Sequence, residues 1–509
     1  MEPAKRTISL GAFYIGLQGA ISYLAYFLSY VFLTRVLDPI DIGKLPLLNA
    51  TYAVYQTTTT LCLQFAIVKF VSEFAGSGRI ERASDVFWSA IRLVGVASIS
   101  GFAVVTLFSP QLSELILGSR GDAGLLILTI LSDLVSNFGI VLLSVLWGLS
   151  SFKKMAASNM AGILLERILG ILLAWLGFGL QGYVAGWLIG ATATLAPAIV
   201  FAGPYLKRRR NPVPAKEMLA YSYPILLVSL VTLAQSWADV TILYALTSNL
   251  IDTGVYYLGV AGSGIMLLLS TALTWAIFPT LSAMFGRGET EPFKETLRVS
   301  QRLLNMLMMP IGLALAAVAG TAVTVVYGQA YAGATIPFAI LTASSILPAY
   351  LSLMTYVLQA IKRTQALIRI WSAAALTEIA LTVILVPPLN VMGSALARVG
   401  MSAVGVLVSY AYLKDSWWPK IERTSLAKNA MLAALVGIVL FLFDSFVTYE
   451  MGIGSLGRGV LDMMVFLFVY VAGLIRLRIV LPEDIEKLEA VLPTSFQPWL
   501  GRIRHWLIA

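Results

Sequence analysis

The chain has 509 residues, 59% of them apolar and only 12% charged, against about 25% charged in ordinary soluble domains. One cysteine, Cys62, and one histidine, His505, exclude an internal disulfide framework, a cysteine metal cluster and histidine-rich metal chemistry. The net charge of +9 raises nucleic acid as a partner, which the placement of the charges then excludes.

Apolar runs of about 20 residues, separated by short polar stretches, predict an all-α polytopic membrane protein with about 14 transmembrane helices. The first six spans are expected at about 11–34, 47–71, 87–108, 125–148, 158–178 and 184–205. The charged, proline-containing stretch Lys207 to Lys216 follows as a linker. Six more spans are expected at about 219–247, 254–283, 301–327, 335–360, 367–388 and 394–413, and two at about 430–448 and 457–480. The tail mixes Trp499, Ile503, Trp506 and Leu507 with Arg502 and Arg504, the pattern of an interfacial helix. The expected organisation is an N-lobe 1–206, a cytoplasmic linker 207–218, a C-lobe 219–413, two added spans in 414–480 and a cytoplasmic interfacial tail 481–509.

Basic residues cluster in alternate loops. With the N-terminus inside, most of the 35 Lys and Arg fall in inner segments. Only Arg35, Lys44, Arg120 and Arg458 lie at outer ends, and Lys69, Arg92, Arg167 and Arg398 lie within spans. That asymmetry predicts both termini in the cytoplasm of a multi-pass cell-membrane protein. It accounts for the excess charge as an orientation signal, with no nucleic-acid partner.

The sequence also repeats. Gly76 and Gly78 correspond to Gly286 and Gly288 at an offset of 210, and Arg92-Leu93 to Arg302-Leu303. Gly43 corresponds to Gly254 and Gly182 to Gly393 at 211. A near-constant offset across several landmarks predicts two homologous halves. Six spans separate the copies, so the two six-helix lobes enter the membrane in parallel, with a substrate path between them. The outer loops are short, and no Walker A loop, His-Glu-x-x-His helix or Ser-His-Asp set is present. No enzymatic activity, cofactor or metal is expected.

The stretch Phe32-Leu-Thr-Arg-Val-Leu-Asp-Pro-Ile-Asp-Ile-Gly43 resembles the signature that opens the Wzx-type polysaccharide exporters of the MOP flippase superfamily. Ala66-Ile-Val-Lys-Phe-Val-Ser-Glu73 is similar to that family's basic-then-acidic pattern, and Asp239-Val-Thr-Ile-Leu243 with Gly254-Val-Tyr256 resembles its second opening. Gly182 and Gly393 resemble its paired late glycines. The resemblance covers residues 1–413 and implies alternating-access flipping of a lipid-linked oligosaccharide from the inner to the outer leaflet. The expected partners are that substrate and membrane lipids, with H+ or Na+ and glycan-assembly enzymes as further candidates; membrane potential, a proton gradient or a sodium gradient could each drive the cycle.

A charge in the bilayer centre costs at least about 2.5–3.5 kcal/mol, so charged residues within spans face a cavity or a partner. The anionic join of a lipid-linked sugar calls for basic groups in a wet cleft. Arg35, Lys69, Arg92 and Arg398 are the substrate-binding candidates. Each has a second reading. Lys69 snorkels and pairs with Glu73, Arg92 is an inner anchor like its mate Arg302, and Arg35 pairs with Asp38 or Asp41. Arg398 has no close acid in sequence. Glu166, Glu378, Asp239 and Asp133 are the ion-coupling or gating candidates, or else structural carboxylates bonded to neighbouring helices. Glu166 and Glu378, 212 apart, occupy equivalent places, and Gly162 and Gly170 flank Glu166. Arg167 adjoins it but points about 100° away around the helix. Asp239 extends a stripe from Ser229 through Thr232 and Ser236; Asp133 has Ser136 and Asn137 beside it; Tyr52, Gln56 and Thr60 share a face. An ion-coupled exporter of the MATE type is the alternative function, expected to have twelve spans and an acidic or aromatic cavity.

Overall fold

A computed structural model describes residues 2–206, 213–414, 417–419, 422–448, 454–477 and 479. Much of the expected linker, and the expected interfacial tail with His505, lie outside the described residues. The fold is all-α. The first helices are α1 (Glu2–Leu33), α2 (Pro39–Thr60), α3 (Leu63–Gly76), α4 (Ala83–Leu107), α5 (Ser109–Leu117) and α6 (Ala123–Gly148). Next come α7 (Phe152–Leu173), α8 (Gly179–Ala202), α9 (Ala215–Thr247), α10 (Leu250–Arg287), α11 (Thr290–Ala317) and α12 (Ala319–Val326). The last are α13 (Thr335–Ala343), α14 (Ile346–Ala360), α15 (Thr364–Leu389), α16 (Val391–Leu413), α17 (Arg423–Leu442) and α18 (Ser455–Arg476).

Among the described residues ten helices are long and apolar enough to cross a membrane, or eleven with the bent pair α13–α14 taken as one span. The difference from fourteen has local causes. The second expected span is broken into α2 and α3 at Leu61 and Cys62, both left-handed with φ of 52° and 53°. The tenth bends by 45° between Ala343 and Ile346. The fifth and sixth run on through Phe152–Tyr205 and count once. Only Gln18–Leu33 of α1 enters the count, as a shorter apolar helix.

Two compact units divide after Gly254, within α10. The first unit therefore includes α9, which packs on α2 and α3. Its core gathers Leu63, Ile67, Val71, Val86, Leu146 and Met218. The second unit packs Leu281, Phe293, Leu304, Leu353 and Ile370 into its own core. Leu432, Val436 and Leu440 of α17 join Ala314 of α11 in a smaller cluster.

The repeat is visible in the backbone. Gly78 and Gly288 have φ of 74° and 73°, and Gly118 and Gly328 have 76° and 97°. Ser150 and Lys362 have 55° and 60°. Gly179 (φ 54°, ψ −142°) matches Asn390 (φ 49°, ψ −127°), and each joins two helices of a hairpin. L-residues rarely take up that conformation; asparagine tolerates positive φ better than most. Gly43 of α2 and Gly254 of α10, equivalent in the two copies, touch. A Cβ on Gly43 would lie 1.9 Å from the Leu250 carbonyl oxygen, and one on Gly254 2.8 Å from the Gly43 amide nitrogen.

Candidate functional site

The strongest site in the first unit is built by the α7–α8 hairpin. Its helices are antiparallel in a register read from close approaches. A Cβ on Gly162 would meet Thr194 Oγ1 at 1.7 Å, and one on Gly190 would meet Glu166 Cβ at 2.4 Å. One on Gly186 would lie 2.5 Å from Gly170 Cα. Apolar side chains give helices little reason to associate in lipid, so small residues that let backbones touch supply the packing. Glycine on both helices brings the two backbones together and leaves Glu166 and Arg167 to project beside the contact.

They project into a chamber of about 230 Å³ between α2, α6, α7 and α8. Its polar lining is Asn49, Tyr52, Ser136, Asn159, Glu166 and Thr194, with Arg167 and Trp187 completing the wall. Glu166 Oε1 and Arg167 Nη2 are 2.9 Å apart, and the side chains are 20% and 18% exposed. Neighbouring residues on a helix do not face one another, but both side chains are long enough to swing into one ion pair. Arg167 Nη1 also donates to the Tyr183 hydroxyl, and its guanidinium lies 5.3 Å from the centre of the Tyr26 ring. Tyr52 and Tyr183 stand edge-on to Trp187 at 5.9 and 6.1 Å. The arginine is thus held by one carboxylate and an aromatic wall, a setting that strengthens cation–π attraction by excluding water.

Asp133 of α6 is fully buried. Gln56 Nε2 donates to its Oδ1 at 3.2 Å, and the Tyr52 hydroxyl lies beside it. Asn137 Nδ2 donates to Thr59 Oγ1 (2.9 Å) and Ser98 Oγ (3.1 Å). The polar faces of the expected second and fourth spans therefore meet.

The other sequence candidates are dispersed. Arg35 is exposed in the turn after α1, and Arg92 is exposed on α4. Lys69 is 43% exposed, 3.9 Å from Glu73, and stacks over Phe70 and Tyr221 at 4.4 and 5.0 Å. The Glu73 pairing of its second reading is present. Arg398 is half-buried on α16, and Glu378 is fully buried on α15. Asp239 is fully buried on α9, where its Oδ1 accepts from the Val240 amide at 2.8 Å. Thr232 and Ser236 of its stripe donate to carbonyls of their own helix. Arg302, the mate of Arg92, lies 3.8 Å from Glu422. Sequence reasoning passed over Arg167, Asn159 and Trp187 as site residues. An arginine adjoining an acid inside an apolar span was the available signal for the first; nothing in the pattern marked the other two.

Comparison with known proteins places this geometry. The fold is similar to that of a structure titled Lipid II flippase MurJ, inward closed conformation, with TM-score 0.72 and 14% identity over 90% of this chain and 97% of that one. It is also similar to an inward-facing multidrug resistance MATE family transporter of the MOP superfamily, with TM-score 0.62 and 16% identity over 77% and 93%. A Haloferax volcanii protein named Probable flippase AglR is 22% identical over 372 residues, 70% of this chain and 74% of that protein. The fold is that of the MOP transporters, in a multi-pass helical membrane protein. Residues 32–336, more than half the chain, match the family described as polysaccharide biosynthesis protein, and the chain belongs to that family.

Proposed function

We propose that the protein flips a lipid-linked oligosaccharide from the inner to the outer leaflet of the cytoplasmic membrane by alternating access, with both termini cytoplasmic. The observation that carries this reading is the chamber beside the α7–α8 hairpin. Amide, hydroxyl and aromatic groups suit sugar hydroxyls and ring faces, and an arginine suits a phosphate. At about 230 Å³ the chamber is below the ~300–1,000 Å³ of common ligand sites, so it takes a fragment of the headgroup rather than a whole oligosaccharide.

Glu166 supplies a control on Arg167. While Glu166 is ionised it neutralises the guanidinium at 2.9 Å. A proton on Glu166 releases that charge for an incoming phosphate. This makes Glu166 the leading ion-coupling residue and H+ the leading ion, with Asp133 in the same polar network. Glu378, Asp239 and Arg398 remain coupling and binding candidates outside the chamber. Partners in this reading are the lipid-linked substrate, bilayer lipids and the enzymes that assemble the glycan; the protein performs no covalent chemistry.

The carboxylates in the first unit also fit an ion-coupled exporter of the MATE type. A vesicle assay separates the two. Purified protein is reconstituted and challenged with a lipid-linked oligosaccharide and, separately, with a cationic dye. Flipping of the lipid-linked sugar is expected. Dye transport with no movement of the lipid-linked sugar would replace this reading with the exporter.

A further inference from the structure

Outside that chamber, α11, α12, α17 and α18 line a second cavity of about 380 Å³ in the second unit. Its walls are apolar, with Val325, Leu440, Val460 and Phe466 among them, yet they also include Thr321 and Asp462. Asp462 is only 4% exposed. Neither of its carboxyl oxygens receives a hydrogen bond from a donor. Asp444 and Arg458 are the charged groups that act on it.

Asp444 sits in an unusual turn. After α17 the helix widens into a π turn over Phe443–Thr448, a feature that often marks functional positions. Thr321 Oγ1 of α12 donates to Asp444 Oδ1 at 2.7 Å. Arg458 precedes Asp462 by one helical turn, on the same face of α18. Other ionisable groups are remote in sequence along the packed helices. Alpha-12 carries none, α11 none beyond Arg302, and α17 none beyond Lys428, while α18 next offers Tyr470 and Arg476. The Tyr470 hydroxyl donates to the Met306 carbonyl of α11 at 3.1 Å.

We propose that Asp444 and Asp462 form a proton-binding site that holds one proton between their carboxyl groups. Two carboxylates side by side in apolar surroundings disfavour joint ionisation. Asp444 already accepts the Thr321 hydroxyl, whereas Asp462 accepts from no donor. The proton therefore resides on Asp462, whose hydroxyl donates to Asp444 and gives a buried group the partner it lacks. With one proton bound, the remaining carboxylate balances Arg458 and the site is neutral. Loss of the proton leaves one net negative charge beside an apolar cavity. The site is independent of the cargo and distinct from Glu166.

Infrared spectra of the full-length protein in lipid vesicles test this directly, through the band of a protonated carboxyl. The wild-type spectrum minus that of Asp462→Asn is expected to show this band at mildly acid pH and to lose it as the pH rises. Asp444→Asn leaves a single acid and is expected to alter the same band. Thr321→Val removes the donor to Asp444, so the band is expected to persist to higher pH. Replacing sodium by choline is expected to leave it unchanged. No difference band at mildly acid pH in the folded variants would overturn the proposal. So would a band that appears only when sodium is withdrawn, which would mark a sodium site. If Asp462→Asn fails to fold, the Thr321→Val spectrum decides alone: a band with wild-type pH dependence overturns it.

Discussion

The two glutamate-bearing hairpins, α7–α8 and α15–α16, share a register and a turn but differ in how they treat the acid. Gly162, Gly170, Gly186 and Gly190 line the first. At the corresponding offsets the second carries Ala374, Thr382, Ala397 and Met401, all buried. Gly190 lies across from Glu166; in the same register Met401 lies across from Glu378. A methionine in that place would cover the acid; Glu378 is fully buried, whereas Glu166 opens on a chamber and is 20% exposed. Trp187 of the aromatic wall is replaced in the second copy by Arg398. The duplication thus supplied one scaffold, and residue size at a few contacts made one copy a chamber and the other a packed acid.

Exchanging those contacts should have the largest effect. A Gly190→Met side chain has no room, since even its Cβ would be 2.4 Å from Glu166 Cβ. Overpacking commonly costs about 1–3 kcal/mol; contact with a second helix backbone places this substitution at or above that range, seen as loss of monodisperse protein in detergent. The converse, Met401→Gly, should cost about 2–5 kcal/mol as a large-to-small change. It should also make Glu378 reactive to a carbodiimide; continued protection would refute methionine as its cover.

Transport should separate the arginines next. Arg167→Gln is expected to lower flipping at least about 10-fold, equivalent to about 1.4 kcal/mol of binding or barrier, while Arg398→Gln lowers it less. Equal losses would show that both copies handle the anion. For the acids, Glu166→Gln should flatten the pH dependence of flipping and Glu378→Gln should leave it. The reverse pattern would move coupling to the second hairpin. The smallest effect is expected for Lys69→Ala. Its exposed pair with Glu73 at 3.9 Å belongs to a class worth about 0–1 kcal/mol, so the change in thermal stability should be slight and should vanish in high salt.

The sequence made the duplication legible because glycine recurs where the backbone turns with positive φ, at Gly78 and Gly288 for instance. The break at Leu61–Cys62 was not legible, since neither residue favours the left-handed region. Glu166 stood out as an acid between glycines. Its ion pair with Arg167 did not, because helical angle describes where a side chain starts and not where a long one ends. Asp444 and Asp462 are 18 positions apart around a turn, and only folding brings them together beside Thr321.

The contact of Gly43 with Gly254 has a mechanical consequence. Two bare backbones meet there, through few atoms, each pair contributing only about 0.1–0.2 kcal/mol. Such a contact depends on what is absent: the helix ends rest backbone to backbone, with no side chain between them. Any side chain introduced at either glycine would act as a wedge, keeping the ends of α2 and α10 permanently ajar.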